Sequence, residues 1–384
     1  MTKSETVSIF ALAYGGDGVG RLADNRVCFV PGTLPGERVR IRIITEKKRF
    51  VKAEVEEIIE SSSERVVPPC PYYGKCPGCV YMHSSYAQEI AWKERQLEDF
   101  LLRNDLAVKE VIAAPFASPS ELFYRNKLVL HNAGDGRYGY IGKDNVSVIP
   151  IRECLLADRE INRILPEAAG EKALFRTSSR EGAQQILQES PGILHENVPG
   201  AGEFAVAGDG FFQTNIAVAA ELVNEVKRAF AGFAGERVLE LYCGVGVFSI
   251  ALAGEYEKLR CTAVELNGQA IELARQNAVV NGVADRCSFF AGDAGKMLRR
   301  QRGKTGEEIA LVLDPPRGGI APETLKEILK LNASLVVYIS CAADTLARDL
   351  RQMVESSYKV ERVRLLDMFP RTGHFEVCTV LRRK

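Results

Sequence analysis

The sequence predicts a multi-domain chain with a small N-terminal β-barrel, a central α+β domain and a C-terminal α/β domain built on a parallel, doubly wound sheet. Three observations support this order. Short strand patterns with glycine-rich turns fill residues 1–60, a cysteine cluster follows, and from about Ala217 strand and helix patterns alternate. Such alternation is typical of the βαβ units that build parallel sheets. We therefore expect domains at residues 1–60, 61–210 and 211–384.

The composition is typical of a globular protein with a sizeable core, with 46% hydrophobic and 26% charged residues. A chain of 384 residues is expected to form two or three domains. The 50 basic and 50 acidic side chains cancel, so the total charge argues neither for nor against a nucleic-acid partner. No apolar run is long enough to span a bilayer, and the start MTKSETVSIF lacks the apolar core of a signal peptide. We expect a cytoplasmic protein with no membrane partner, whose ten cysteines are reduced.

Residues 1–60 contain the alternation of half-exposed strands, which is clearest in the run VRIRI at 39–43. Several short strands at this spacing predict a small closed barrel. Between Arg38 and Lys52 there are seven basic residues and one acidic residue, Glu46. This basic patch is suited to contacting phosphates, but it fits a solvated face equally well.

The link into the middle of the chain contains Cys70, Cys76 and Cys79 in the spacing C-x5-C-x2-C. Three thiolates are too few for a closed four-ligand site, so a distant fourth ligand is needed. The spacing leaves zinc and an iron–sulfur cluster both open. Helical periodicity from Tyr86 to Asn104 predicts a helix that packs either within the central domain or on the catalytic domain. The remaining cysteines of apolar strands are expected in the core: Cys28, Cys243, Cys261, Cys287 and Cys378.

The first strand pattern of the C-terminal domain, VLELY, runs directly into a turn that contains Gly244 and Gly246. Glycines let the backbone approach a ligand closely at the carboxyl end of a first strand. Glu265 ends the next strand, where a carboxylate can bind both ribose hydroxyls of a nucleoside. A nicotinamide site would have a third glycine where this chain has Ser249, so S-adenosylmethionine is the favoured ligand. Asp293, after the third strand, is either a partner for the adenine amino group or a helix cap.

Two later strand ends carry reactive side chains. Strand IALVLD ends in Asp-Pro-Pro-Arg at 314–317, and strand LVVYIS delivers Cys341 to the same edge. Amino-group methyltransferases follow Asp-Pro-Pro with an aromatic residue, so Arg317 argues against an exocyclic amine as the target. A thiolate that adds to carbon 6 of uracil makes carbon 5 nucleophilic enough to accept a methyl group, and a base must then remove the carbon 5 proton. The stretch FPRTGHFEV offers Glu376, and also His374, for that role.

Five stretches together carry a specific resemblance: FFQTN, YCGVGVFSI, DPPRGG, SCAADTLARDL and FPRTGHFEV. With them the chain resembles the RNA 5-methyluridine (uracil-C5) methyltransferase family over essentially its whole length, because the barrel is similar to the family's OB-like, RNA-binding TRAM domain. The resemblance implies a C-terminal Rossmann-like class I methyltransferase domain. It implies Cys341 as nucleophile, Glu376 as general base and Asp314 in the catalytic site. It also implies contacts to S-adenosylmethionine from Gln213, Tyr242, Gly244, Gly246, Glu265, Asp293 and Asp314.

The same resemblance implies a 4Fe-4S cluster in the central domain, held by Cys70, Cys76, Cys79 and Cys154. The combination of barrel and cluster favours 23S ribosomal RNA as the partner, because many transfer-RNA members of the family lack both. A transfer-RNA enzyme is the alternative. A second alternative is a non-catalytic RNA-binding iron–sulfur protein, which would have no reason to keep the pair Cys341 and Glu376. We expect a monomer.

Two positions depart from the family pattern. Family members often have Ser-Cys-Asn-Pro after the fifth strand, whereas this chain has Ser-Cys-Ala-Ala at 340–343. Asn or Thr is frequent in the glycine-rich turn at the position of Val247. Neither change removes a catalytic group, and both bear on loop shape and cofactor contact.

Overall fold

A computed structural model describes residues 4–106, 110–301 and 308–384. Within these ranges the chain forms a closed barrel, a five-stranded sheet, a two-stranded hairpin and an eight-stranded sheet. The predicted barrel range starts at residue 1, and its residues 1–3 lie outside the described residues. The N-terminal barrel and the C-terminal α/β sheet confirm those two parts of the predicted fold class.

The N-terminal barrel has five strands: β1 (Ser4–Leu12), β2 (Gly18–Arg21), β3 (Val27–Val30), β4 (Arg38–Glu46) and β5 (Phe50–Glu60). They close in the order β1-β2-β3-β5-β4. Alternate side chains point inward, so Val39 and Ile41 of β4 are fully buried while the arginines between them face outward. The strand alternation read from the sequence therefore produces the barrel core.

The outward arginines of β4 do not form an unopposed basic surface. Each pairs with a glutamate of β5 at 2.7–2.8 Å: Arg38 with Glu60, Arg40 with Glu57 and Arg42 with Glu54. Exposed pairs of this kind add little stability, but they neutralise the charge of the strand. The positive charge of the predicted patch is therefore concentrated in the turn at 47–49, between β4 and β5.

Among its described residues, the middle of the chain contains two α-helices and a series of short strands. They are α1 (Tyr86–Arg103), β6 (Ile112–Phe116), β7 (Lys127–Asn132), β8 (Tyr138–Ile141), β9 (Val148–Pro150), α2 (Arg159–Ile164), β10 (Lys172–Arg176), β11 (Gln184–Ile186), β12 (Ile193–Val198) and β13 (Gly202–Ala207). A short 3-10 helix, Leu165–Glu167, follows α2. Strands β7 to β11 form an antiparallel sheet in the order β11-β10-β7-β8-β9, and α2 packs against it through the buried Ile161.

The C-terminal domain alternates strands and helices, as predicted. Its elements are α3 (Ile216–Phe230), β14 (Arg237–Leu241), α4 (Val247–Glu255), β15 (Arg260–Glu265), α5 (Gly268–Val280), β16 (Cys287–Ala291), α6 (Ala294–Gln301), β17 (Ile309–Leu313), α7 (Pro322–Leu331), β18 (Leu335–Ser340), α8 (Ala343–Ser356), β19 (Tyr358–Leu366) and β20 (Glu376–Arg383). The sheet order is β16-β15-β14-β17-β18-β20-β19-β6. Every residue of β17 and β18 is buried, as expected for central strands that helices cover on both faces.

The direction of the strands determines where a ligand can bind. Strands β14 to β18 run parallel, so their carboxyl ends meet at one edge of the sheet. The strand order reverses between β14 and β17, and in such sheets ligands bind at this switch point. Most of the predicted cofactor and catalytic residues lie at the ends of these strands, whereas Gln213 precedes α3 and Glu376 begins β20.

The packing of the middle region differs from the predicted boundary at 210/211. Helix α1 buries Leu97 and Leu101 in the core of the catalytic domain, β6 pairs in parallel with β19, and the β12–β13 hairpin packs on α3 and α5 through Val198 and Phe204. Only the segments around β7–β11 form a separate small core. These apolar faces are covered by helices and strands that are distant in sequence. A division of the chain into consecutive residue ranges does not describe such packing. The division at 60/61 and 210/211 stays a prediction.

Candidate active site

A cavity of about 970 Å³ lies at the carboxyl edge of the parallel strands. Its size is that of a small-molecule site. The structure brings seven of the predicted site residues to its walls: Gln213, Tyr242, Gly244, Glu265, Asp314, Cys341 and Glu376. These residues come from six segments of the chain, which the sheet brings together.

The cofactor side of the cavity is built around Glu265, at the end of β15. Its Oε2 accepts a hydrogen bond from the Gly244 N–H at 3.3 Å, and its Oε1 accepts one from the Asn267 N–H at 2.9 Å. Tyr242 has a φ of 65°, and its N–H donates to the Val264 carbonyl at 2.9 Å. The turn is thus folded back on β15, which sets a carboxylate beside glycine backbone, the arrangement that a ribose needs.

Two predicted cofactor residues do not line the cavity. Gly246 begins α4 with a φ of 88°, and a Cβ there would lie 2.8 Å from the Phe289 ring, so this glycine serves the turn and its packing. Asp293 is exposed, and its Oδ1 accepts a hydrogen bond from the Lys296 N–H at 2.9 Å. The geometry corresponds to the helix-cap alternative. The contact of Asp293 with adenine stays a prediction.

Cys341 follows β18 directly and is half-buried in the cavity wall. Burial, with smaller contributions from Glu376 and Asp314, raises the pKa of its thiol to about 11 against the opposing positive charge of Arg317. Near neutral pH and without ligands, the side chain is therefore a thiol. It must lose its proton before it can act as a nucleophile.

Glu376 is the first residue of β20 and is buried, with 5% of its surface exposed. Its Oε2 has no hydrogen-bond partner among the residues that the structure describes. Burial raises the pKa of this carboxyl well above its usual range, and the charge of Asp314 adds to the effect. Burial, together with the charge of Glu265, also raises the pKa of Asp314 to about 7. Two carboxyl groups with elevated pKa values beside a thiol can hold and transfer protons.

The other candidate base, His374, is not among the lining residues of the cavity. Its ring packs edge-to-face on Phe369, which does line the cavity, with 6.4 Å between the ring centroids. Burial lowers the pKa of His374, and the nearby positive charge of Arg317 lowers it further. Arg317 itself lines the cavity and is exposed. A cation therefore stands where an amino-group methyltransferase has a stacking aromatic ring.

Sequence reasoning missed the residues that hold one cavity wall, the segment 207–213. Arg176 of β10 is fully buried and donates to the carbonyls of Ala207 at 3.1 Å and Gly210 at 3.2 Å. Asn126 donates through Nδ2 to the Gln213 carbonyl at 3.1 Å. No local pattern signals these contacts, because the partners are far apart in the sequence.

A buried carboxyl group under the glycine-rich turn was also missed. Glu240 of β14 is 1% exposed, and its Oε2 accepts hydrogen bonds from the Ser249 N–H at 2.8 Å and from the Ser249 hydroxyl. Burial raises the pKa of Glu240 to about 8. Ser249, which replaces a third glycine, thus anchors the first turn of α4 to β14. An acid inside the apolar pattern VLELY was the available signal.

The four cysteines of the predicted cluster line one cavity, although Cys154 is distant in sequence from the other three. Asn162 holds the Cys154 backbone in place: it accepts from the Cys154 N–H at 2.8 Å and donates to its carbonyl at 3.0 Å. Burial raises the pKa of the thiols of Cys70, Cys76 and Cys79, and the charge of Cys154 adds to it in each case. Among the described residues, no three His, Cys, Asp or Glu side chains form a group that could hold a metal ion.

The fold and the site together define a class I methyltransferase domain joined to a β-barrel. A family model described as tRNA (Uracil-5-)-methyltransferase matches residues 201–384, and a TRAM domain model matches residues 3–55. The chain is 30% identical to the 23S rRNA (uracil(1939)-C(5))-methyltransferase RlmD of Shewanella amazonensis, over 91% of this chain and 89% of that protein. It is also 30% identical to the RlmD of Pseudomonas aeruginosa, over 97% and 93% of the two chains.

The fold is shared with a crystal structure as well. The tRNA (uracil-54, C5)-methyltransferase of Pyrococcus abyssi, in complex with S-adenosyl-L-homocysteine, is similar with a TM-score of 0.75 and 23% identity, over 98% of this chain and 99% of that one. The chain belongs to the RNA (uracil-5-)-methyltransferase family, whose members use S-adenosylmethionine to methylate carbon 5 of uridine in RNA. None of the helices in the described ranges is long and apolar enough to cross a membrane.

Proposed function

We propose that this enzyme methylates a uridine of 23S ribosomal RNA through a covalent intermediate on Cys341, with Glu376 as the general base. The observation that carries the proposal is the shared cavity: Cys341 and Glu376 line the same space as Glu265 and the glycine-rich turn. A methyl donor bound at the turn and a uracil ring placed against Cys341 would therefore meet inside one site. The two RlmD relatives support ribosomal RNA as the substrate.

The chemistry follows from what carbon 5 of uracil lacks. It is too weak a nucleophile to take a methyl group unaided, so the Cys341 thiolate adds to carbon 6 and pushes electrons to carbon 5. S-adenosylmethionine supplies an electrophilic methyl group. Glu376 then removes the carbon 5 proton, the electrons of the C–H bond restore the 5,6 double bond, and the bond from carbon 6 to Cys341 breaks to return the thiolate. Asp314 lies in the wall of the same cavity, and its carboxyl group is a second proton acceptor near the reacting uracil ring.

The covalent step is tested with RNA that carries 5-fluorouridine at the target. Fluorine cannot leave as a proton does, so the wild-type enzyme should accumulate a methylated adduct that resists denaturing gels. Cys341→Ala should form no adduct and no product while it still binds S-adenosylmethionine. Full turnover by Cys341→Ala would overturn the mechanism.

The role of Glu376 is tested on ordinary uridine. Glu376→Gln keeps the shape and loses the basicity, so it should methylate once and then stall as the adduct, because only the proton removal is lost. His374→Ala is the matched control from the same loop, and it should release product normally. If His374→Ala accumulates the adduct and Glu376→Gln turns over, the two roles are reversed.

The RNA substrate is tested by mass mapping of 5-methyluridine in RNA from cells that lack the gene. Loss of the modification from 23S ribosomal RNA, and its return with the wild-type gene, is the expected result. Loss from transfer RNA instead would assign the enzyme to that substrate. Complementation with Cys341→Ala is the control, since it should restore neither.

The second part of the proposal is a 4Fe-4S cluster held by Cys70, Cys76, Cys79 and Cys154. The support is the convergence of the four thiols on one cavity with the cation of Arg125 beside them. Burial raises the pKa of three of these thiols, and a bound metal group would favour the thiolate forms that ligate it. A four-iron cluster takes four cysteine thiolates, and it would tie the segment 70–79 to the loop of Cys154.

Protein purified without oxygen should be brown and contain about four irons per chain, the count of a four-cysteine cubic cluster. Cys154→Ala should bleach it. The matched control is Cys287→Ala, which removes a buried thiol of β16 and should keep both colour and iron. Stoichiometric zinc without visible absorbance would refute the cluster.

A further inference from the structure

The loop that leads into Glu376 is held by buried charges on α1. This loop, residues 367–375, connects β19 to β20 and is called the base loop below. Asp367 at its start is fully buried, and its Oδ1 accepts a hydrogen bond from Lys93 Nζ at 2.8 Å. The other oxygen, Oδ2, accepts from the Tyr86 hydroxyl at 2.9 Å. Lys93 is also fully buried, and it donates to the carbonyl of Phe369 in the same loop at 3.3 Å.

Glu89 links these charges to the middle of the base loop. It is fully buried and pairs with Lys93 at 2.7 Å, and its Oε1 also accepts from the Arg371 N–H at 2.8 Å. The Arg371 guanidinium donates to the Ser84 carbonyl at 3.0 Å and pairs with Glu121. Arg371 has a φ of 68°, a strained conformation for a residue with a side chain, which persists only where the surroundings over-determine it.

This network does not touch the reacting atoms. Neither Lys93 nor Arg371 is among the residues that line the cavity, whereas Phe369 of the base loop and Glu376 directly after it are. Cys341 lies outside the base loop, between β18 and α8, and its neighbour Ser340 pairs with Val377 of β20. A change in the base loop would therefore act directly on Glu376, and on Cys341 only through this strand pairing.

We propose that Lys93 and Arg371 are positioning residues that fix the carboxyl group of Glu376 for proton removal, the second half of the reaction. Buried ion pairs are weak evidence for a role in stability, since well-packed apolar residues often serve as well. A charge network that fixes a strained loop next to Glu376 holds the carboxyl group in a precise position. Apolar packing would fix that position less specifically, because it lacks directional contacts. The inference rests on the proposed role of Glu376 as general base.

The test separates the two halves of the reaction in single-turnover experiments with labelled S-adenosylmethionine and RNA. Lys93→Met removes the charge and keeps the length of the side chain. Formation of the methylated adduct should change little, while its decay to product should slow by roughly tenfold to a hundredfold, the cost of misplacing a catalytic group by about 1 Å. Methylated adduct on ordinary uridine should therefore accumulate.

Asp367→Asn is the second variant, because it keeps the shape of the charge network. It should fold more readily than Lys93→Met, which leaves the buried carboxylates of Glu89 and Asp367 without their cation. It should give the same partition between the two steps with a smaller effect. The matched control is Arg364→Met, which removes a partly buried side chain that pairs with Glu221 at 2.6 Å and with Glu225, on the α3 side of the sheet. It should lower the melting temperature without slowing adduct decay.

The outcomes distinguish this inference from the proposal beneath it. If Glu376→Gln accumulates adduct but Lys93→Met and Asp367→Asn do not, the positioning role is overturned and the base stands. If Glu376→Gln does not accumulate adduct, the role of the base fails first. A third outcome is that Lys93→Met slows adduct formation and adduct decay equally, with a loss of stability like that of Arg364→Met. That result would show that the network is merely structural and would refute the inference.

Discussion

Cys341 and Glu376 share a cavity, and burial raises the pKa of both side chains. In the proposed mechanism Cys341 reacts as a thiolate and Glu376 as a carboxylate, so we expect bound ligands to lower both pKa values. The charge of the methyl donor provides a physical cause, since its sulfonium group is a cation and a nearby opposite charge favours the ionised form of an acid. Arg317 already acts in this direction on both groups.

We expect S-adenosylmethionine to lower the pKa of Cys341. Without ligand, alkylation by iodoacetamide should rise with pH up to the pKa of about 11, because only the thiolate reacts. S-adenosylmethionine should shift this profile to lower pH, and S-adenosylhomocysteine, which lacks the sulfonium charge, should not. Mass spectrometry of the Cys341 peptide measures both. Identical profiles with the two ligands would remove the electrostatic explanation.

Glu265 should determine affinity for the cofactor. Glu265→Ala removes a carboxylate suited to two ribose hydroxyls, and each charge-assisted hydrogen bond contributes about 1.5–3 kcal/mol, so the affinity should fall by at least about tenfold. Calorimetry without RNA measures this directly. Glu272→Ala, on the exposed side of α5, is the control and should bind normally. An unchanged dissociation constant for Glu265→Ala would mean that the ribose lies elsewhere.

At the scale of elements, the glycine-rich turn and the start of α4 are hydrogen-bonded to the neighbouring strands β14 and β15. Gly246 has a left-handed φ, Ser249 is tied to Glu240 on β14, and Gly244 donates to Glu265 on β15. The glycine-rich turn is thus shaped by contacts on both sides before any ligand arrives. Preorganisation of this kind reduces the free-energy cost of binding.

Gly246→Ala should destabilise the protein by about 1–3 kcal/mol, because a Cβ there meets the Phe289 ring and the left-handed backbone disfavours side chains. Cofactor affinity should fall with it. Gly254→Ala is the matched control in the same helix: a Cβ there meets nothing within 4 Å, so it should stabilise by about 0.5–1 kcal/mol. Thermal unfolding distinguishes the two. Equal effects would show that the conformation at 246 is not required.

At the scale of the whole molecule, the barrel, the region of the cluster cysteines and the central sheet each contact segments that border the catalytic cavity. The central sheet holds the wall at 207–213 through Arg176. The barrel turn at 13–18 packs against the catalytic domain, where the Tyr14 ring meets Phe375 edge-to-face at 6.0 Å and the Ala13 carbonyl accepts from Gln96 Nε2 at 3.0 Å. Directly after Cys79, the Val80 N–H donates a hydrogen bond to the carbonyl of Arg371 in the base loop at 2.9 Å. These contacts join the barrel and the region of the cluster cysteines to the loop before Glu376.

Gly373→Ala tests the contact between barrel and base loop. A Cβ at 373 would lie 2.7 Å from the Gly15 carbonyl oxygen, which is backbone and cannot rotate away. The variant should therefore separate the barrel turn from the base loop, so that proteases cleave the barrel faster and turnover falls severalfold, with unchanged cofactor affinity. Gly254→Ala serves again as the control and should be cleaved at the normal rate. Normal cleavage and turnover in Gly373→Ala would mean that the contact is dispensable.

Sequence patterns were sufficient for much of the fold. The two-residue alternation in β4 and the strand–helix alternation after Ala217 are short-range signals, and both lead to the observed barrel and sheet. The positions of Glu265, Asp314 and Cys341 at strand ends predicted that they meet, because parallel strands share one edge. The same reasoning did not show that Gly246 and Asp293 lie outside the residues that line the cavity, because position along the chain does not reveal which way a backbone or a carboxyl group turns.

By itself, the sequence determined the barrel, the catalytic sheet and the family, and it proposed the reactive groups, since each depends on local periodicity or on a short motif. Only the tertiary structure decided what surrounds those groups. Leu97 of α1 and Phe204 of the hairpin pack on the catalytic domain, the β4 arginines are neutralised by β5, and Lys93 reaches Asp367 across 274 residues of chain. Burial, pKa and loop position depend on these distant contacts, and the energy of a contact depends on proximity in space, which local patterns do not contain.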